Sequence, residues 1–313
     1  MKRMCLAIWV VGLSMTSFAG VQEEARSAVE RALPYLEEEG TWWIEEKGCA
    51  SCHHSTFFLW AKDLAFDAGF DLEKAKLEEQ RKWLWEGLLA EREEDPEGPA
   101  NFKPGEIVAE KNVEGASQLL ISASAKSIPD EVKKGLLEII VKMQKGNGDW
   151  KPNGQLPAQK RPKPETQWAT NLWNSIAIEK EGGEMKAATT TGPGSLDGAK
   201  TSEWFAMNAI LKEDAESIGA ILKRQNEDGG WSWIDGEPSS PTGTGQSLLA
   251  LARTGSIEAN QEAVGKAKAY LIQTQSEDGH WETKSTKNRA KSTRISDFWG
   301  SAWAVIGLLE ASK

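Results

Sequence analysis

Apolar residues in this chain recur at intervals of three and four, and the stretches that carry them are of two kinds. The first kind is amphipathic: Val132, Leu136, Ile140 and Met143 mark one such face, Ile218, Ile221 and Leu222 a second, and Val264, Ala267 and Leu271 a third. Stretches of the second kind start near Cys52, Gly115, Thr166, Ser202, Thr244 and Phe298, and they are apolar or small on nearly every side, which suits a helix buried all round. The pattern therefore predicts six inner helices and, between them, outer helices over 22–39, 72–90, 131–144, 215–225 and 261–275, with a degenerate outer piece at 184–191. An all-α fold follows. Because the series opens on an outer helix and ends on an inner one, the N-terminal helix can serve as the outer partner of the last inner helix and close a ring.

Three outer stretches end in the same way. Gln144, Gly148 and Trp150, then Gln225, Gly229 and Trp231, then Gln275, Gly279 and Trp281 all fit Gln-x-x-x-Gly-x-Trp. Lys142, Lys223 and Arg224 near the last turns suit helix C-termini, and each glycine can take the left-handed conformation that stops a helix. These repeats on paired helices resemble the QW motifs of the squalene–hopene cyclase and prenyltransferase class of α/α toroids. That resemblance implies a single toroid over residues 21–313 with a central cavity, in which each Gln and Trp ties neighbouring outer helices together.

Fold does not carry function, so the residues that do chemistry in that class are sought one by one. Its cyclases protonate an alkene from an Asp-x-Asp-Asp cluster, which is missing here. Its protein prenyltransferases bind zinc through a late cysteine, and no cysteine follows Cys52. The resemblance thus implies a non-cyclising relative, with a terpenoid-modifying enzyme whose acid has been relocated as the alternative. Glu114, Glu165, Glu203 and Asp297 stand at inner-helix starts. They either complement helix N-termini or, where two converge, form an acid/base pair.

The expected inner-to-outer turns are short and the outer-to-inner loops long, so one face of the ring carries the long loops at 91–114, 151–165, 232–243 and 282–296. Ring closure brings the last of these loops, with Lys284, Lys287, Arg289, Lys291 and Arg294, beside the start of the first inner helix. There it is either a solvated basic loop or a cationic rim.

Composition adds an address. Lys2 and Arg3, an apolar run to Ala19 and the small-x-small pattern at Ser17 and Ala19 predict a secretory leader over residues 1–20 and export to the periplasm or beyond, with no membrane span left after cleavage. Removing those two cations takes the net charge from −10 to about −12, which argues against nucleic acid or anionic membrane as a partner. Fifteen tryptophans against two tyrosines fit a packing element used repeatedly.

Cleavage leaves Cys49 and Cys52, directly before His53 and His54. Cys-x-x-Cys-His is the attachment pattern of c-type haem, with Cys49 and Cys52 as thioether positions and His53 as axial ligand. His54 cannot reach the opposite haem face, which leaves His280, Met143, Met185 and Met207 as distal candidates. Two alternatives stay open: a Cys49–Cys52 disulfide, structural or redox-active, with no cofactor, and a transition-metal site drawing on His53, His54 and a remote His280. The expected partner is a redox protein or an apolar small molecule.

Overall fold

Helices build most of the chain that the computed structural model describes, which is residues 18–92, 105–152, 160–287 and 291–313. Six of them form the inner layer: α2 (His53–Asp67), α5 (Val113–Ile121), α7 (Lys163–Lys180), α8 (Ser202–Lys212), α10 (Pro241–Arg253) and α12 (Arg294–Glu310). Outside them lie α1 (Phe18–Lys47), α3 (Lys74–Leu89), α6 (Asp130–Lys142), α9 (Ala215–Leu222) and α11 (Gln261–Thr274), while the single turn α4 (Val108–Lys111) interrupts the first long loop. Each inner helix packs on the next, α12 packs on α2, and α1 covers both while touching α11, so the ring is closed. The expected leader falls largely outside the described residues; α1 runs from Phe18 through its expected end at residue 20. No helix among the described residues is long and apolar enough to cross a membrane.

The repeat residues make the same bonds three times. The side-chain amides of Gln144, Gln225 and Gln275 donate to the carbonyls of Gly148, Gly229 and Gly279 in their own turns, each at 2.8 Å. They also donate to a carbonyl of the next outer element, at Ala187, Ala263 and Ala28. The last of these joins the end of α11 to the start of the chain and closes the ring. Trp150, Trp231 and Trp281 send their indole N–H back to the carbonyls of Ile140, Ile221 and Leu271. The backbone also requires the glycines: Gly148 and Gly279 have φ of +88° and +92°, and a Cβ would lie 1.8 Å and 2.0 Å from the carbonyl oxygens of Ala188 and Arg31. Only a residue without Cβ lets the next outer element come so close.

The fourth outer position departs from expectation. Residues 184–191 form no helix, and the whole of 181–201 is irregular apart from one 3₁₀ turn at Leu196–Gly198. Six glycines and prolines and a run of three threonines between 182 and 198 disfavour a helix there. The segment is held from outside instead: Gln144 accepts from the amides of Lys186 and Ala187, and the indole of Trp204 donates to the carbonyl of Thr191.

Long loops enter at the start of every inner helix except α2, and one carries a two-stranded antiparallel ribbon pairing Trp231 with Ser240 and Ser232 with Ser239. Inside the ring, Phe57 packs edge-on against Trp299 at 4.9 Å and beside Trp303 at 4.7 Å, with Trp60 and Trp173 completing an aromatic cluster from α2, α7 and α12. Edge-to-face pairs of this kind contribute about 0.5–1.5 kcal/mol each beyond area burial.

Candidate functional site

Residues 48–52 form a tight loop between α1 and α2, entered through Gly48 at φ +55°. Cys49 and Cys52 are joined as a disulfide, with Cα atoms 5.7 Å apart, and both remain partly exposed. Cys52 is the N-cap of α2, where the positive end of the helix dipole lies, and its side chain makes no cap bond. The loop is clamped from three sides. Trp43 of α1 donates to the carbonyl of Cys49 at 3.3 Å, Ser55 donates to the same carbonyl at 2.8 Å, and the Asn112 amide donates to the carbonyl of Ser51.

The two histidines point to different surroundings. His54 is only 1% exposed and stacks between Trp43, at 4.0 Å and 17°, and Phe298 of α12, at 3.9 Å and 13°. Its Nε2 has no hydrogen-bond partner. Burial, helped by the charges of His53 and Arg294, pulls its pKa down to about 3, so the ring is neutral at pH 7. His53 faces the axis of the ring, where its Nε2 lies 3.2 Å from Glu114, with Trp299 and Phe57 against its ring.

Glu114 belongs to a buried ionic cluster. Thr170 donates to it at 2.6 Å and Gln118 at 3.3 Å, and Arg161 lies 3.6 Å away. Arg161 also meets Glu203 at 3.0 Å, and Glu203 accepts from the indole of Trp173 at 2.9 Å. Burial by itself would raise the Glu114 carboxyl, but Arg161, His53 and Thr170 together hold it below the usual range. Glu203 goes the other way, because burial outweighs Arg161 and the nearby Glu114 charge adds to the rise. Arg161 lowers both carboxyls, and they part because His53 and Thr170 favour the charged Glu114 while that charge and burial disfavour a charged Glu203, the electrostatic pattern of an acid/base pair.

Of the carboxylates expected at inner-helix starts, Glu114 and Glu203 converge and the other two do not. Glu165 binds the amides of Lys200 and Thr201 at 2.8 and 2.9 Å and braces the entry to α8. Asp297 accepts from the amide of Thr283 at 2.7 Å, and burial raises its pKa. His280 pairs with Asp278 at 2.6 Å and lies beside Tyr35. His53, His54 and His280 therefore serve three separate sets of partners, and no group of three metal-ligating side chains forms among the described residues. The expected basic rim is represented by Arg294, which binds Glu39 at 2.6 Å and lies 3.6 Å over Trp42, beside the disulfide loop as ring closure requires. Arg289 lies outside the described residues.

Arg161 is the residue that sequence reasoning missed. It sits between Lys160 and Pro162 in a loop with four basic residues over 160–163 and nearby 151, and nothing in the pattern separates it from its exposed neighbours. Only the carboxylates it faces pick it out.

These residues do not fit a c-type haem in this arrangement. The two sulfurs that would form thioethers are bonded to each other, and the imidazole nitrogen that would meet the iron is held by Glu114 inside a sealed ionic cluster. Two cavities of about 600 and 530 Å³ are lined by other residues and touch neither histidine.

No family profile matches the chain. A stretch of 68 residues is 38% identical to the drimenyl diphosphate synthase of Streptomyces showdoensis, covering 22% of this chain and 13% of that protein. The likeness hints at a relationship to terpenoid cyclases over a small part of each chain.

Proposed function

We propose that this protein is a non-cyclising relative of the terpenoid cyclases whose working group is the Cys49–Cys52 pair, a two-electron thiol–disulfide centre that exchanges with a dithiol partner protein in the periplasm or outside the cell. The reading rests on one observation: a partly exposed disulfide of two-residue spacing at the N-cap of α2. A partner thiolate attacks Sγ of Cys49, the sulfur–sulfur bond breaks, and Cys52 leaves as a thiolate favoured by the helix N-terminus. A second partner thiol then displaces Cys49, so the partner ends as a disulfide and the protein as a dithiol, with two electrons and two protons transferred. His54, neutral and sandwiched, keeps the loop in place without adding charge. An oxidising compartment is where such a pair persists.

Equilibration in glutathione buffers, with alkylation and mass analysis, tests this. The expected result is one reversible two-electron transition under native conditions and no pyridine haemochrome in protein made with the cytochrome c maturation machinery. A disulfide that resists excess dithiothreitol until the chain unfolds, or a covalent haem, overturns it.

A second reading is favoured by Glu203 and by the partial likeness to a terpenoid synthase: a relocated acid for terpenoid chemistry. Its difficulty is that Arg161 and Trp173 already bind the carboxyl. Squalene and farnesyl diphosphate recovered unchanged after incubation would sink it.

A further inference from the structure

At the opposite end of the inner helices lies a cavity of about 530 Å³, within the range of small-molecule sites. It is lined by Trp60, Ile121, Ile176, Ile210, Leu249 and Arg253, drawn from α2, α5, α7, α8 and α10, and it lies where α5, α8 and α10 stop. Trp60 is eight residues beyond Cys52, which places this mouth about 12 Å further along α2.

Two donors in its lining have no acceptor. The indole Nε1 of Trp60, a fully buried side chain, has no hydrogen-bond partner, and neither has the buried Nε of Arg253. The Arg253 guanidinium carbon lies over the Trp60 ring, 5.9 Å from its centroid. Glu310 holds another corner of that guanidinium at 2.6 Å and is itself also paired with Lys313, while Glu179 and Glu213 stand exposed at the rim. An unmet buried donor costs about 1–3 kcal/mol, which an incoming acceptor recovers.

From these observations we infer that the cavity binds an aliphatic carboxylic acid, its carboxylate accepting from Arg253 and Trp60 and its chain lying along Ile121, Ile176, Ile210 and Leu249. The site is independent of the disulfide at the other mouth.

Isothermal titration of the full chain with decanoate, below its micelle concentration, tests the inference. One saturable site per chain is expected, with decanol at least tenfold weaker. Trp60→Phe keeps an aromatic six-membered ring and loses the pyrrole N–H, and about tenfold in affinity should go with it. Ile210→Trp fills the cavity from a partly buried position and should abolish binding; far-UV circular dichroism shows that it folds, and Leu211→Trp at the same rim replaces it if it does not. No saturable binding, equal binding of decanol, or undiminished binding in the filled variant each overturns the inference.

Discussion

Where the inner helices begin, a histidine, two carboxylates and a guanidinium are sealed beneath a disulfide; where those helices stop, a cavity of about 530 Å³ stays open between aliphatic side chains. One ring thus has a mouth whose charges are packed shut and a mouth that stays open, with aliphatic walls and charged side chains such as Arg253, Glu179 and Glu213 around them. The difference shows which end is held rigid. Burying charge is tolerable only when every member of a cluster is paired, so the polar mouth has one arrangement, whereas aliphatic walls impose no such pairing.

The largest effect is expected from taking away the shared cation. Arg161→Met leaves Glu114 and Glu203 buried together, and breaking a buried ionic set in this way costs about 3–5 kcal/mol. Urea unfolding at pH 7 measures it, and adding Glu203→Gln should restore part of the loss. A cost below about 1 kcal/mol would mean that this mouth is hydrated and the contrast between the two ends is false.

His54 comes next, through pH. Its folded pKa of about 3 lies below the ordinary value near 6.5, so the stability it contributes is complete above pH 6.5 and is lost as pH falls toward 3. At pH 4 the loss is about 3 kcal/mol. His54→Phe preserves a flat ring between Trp43 and Phe298 and should flatten that part of the pH profile. An unchanged difference between pH 7 and pH 4 would place His54 in contact with water.

Most of the ring was legible from sequence, for a physical reason. Gln144, Gln225 and Gln275 each repeat one geometric task, and a task repeated at fixed spacing leaves a period that can be read without coordinates. The polar mouth was legible only in part. Glu114 and Glu203 could be placed on the right face because they start inner helices, but their pairing depends on Arg161, which arrives from a loop with no period. Cys49 and Cys52 show the remaining limit: their spacing fits haem attachment and a disulfide equally. The open mouth left no motif at all, because Ile121, Ile176 and Leu249 look like any other core residues until the helices that carry them stop.

Ring closure rests on the approach of α11 and its final turn to α1. Gly279→Ala places a Cβ 2.0 Å from the Arg31 carbonyl at φ +92°, and about 1–3 kcal/mol is expected from the backbone conformation alone. Gly265→Ala on α11 meets nothing within 4 Å and should stabilise by about 0.5–1 kcal/mol. Thermal unfolding of the pair tests whether closure, and not α11 itself, carries the cost.

The smallest effect belongs to the open mouth. Glu213 caps α8 with φ +52°, a left-handed conformation that a residue with a Cβ adopts at a cost and glycine adopts freely. Its side chain is exposed at the rim of the cavity, so Glu213→Gly removes strain and one negative charge without removing packing. A gain of about 0.5–1 kcal/mol is expected in urea unfolding. Decanoate should bind slightly better once the charge is gone, while the glutathione equilibrium of Cys49–Cys52 stays where it was. A shift in that equilibrium would mean that α2 and α8 carry strain between the two mouths, and the ring would then have to be treated as one coupled unit with a binding end and a redox end.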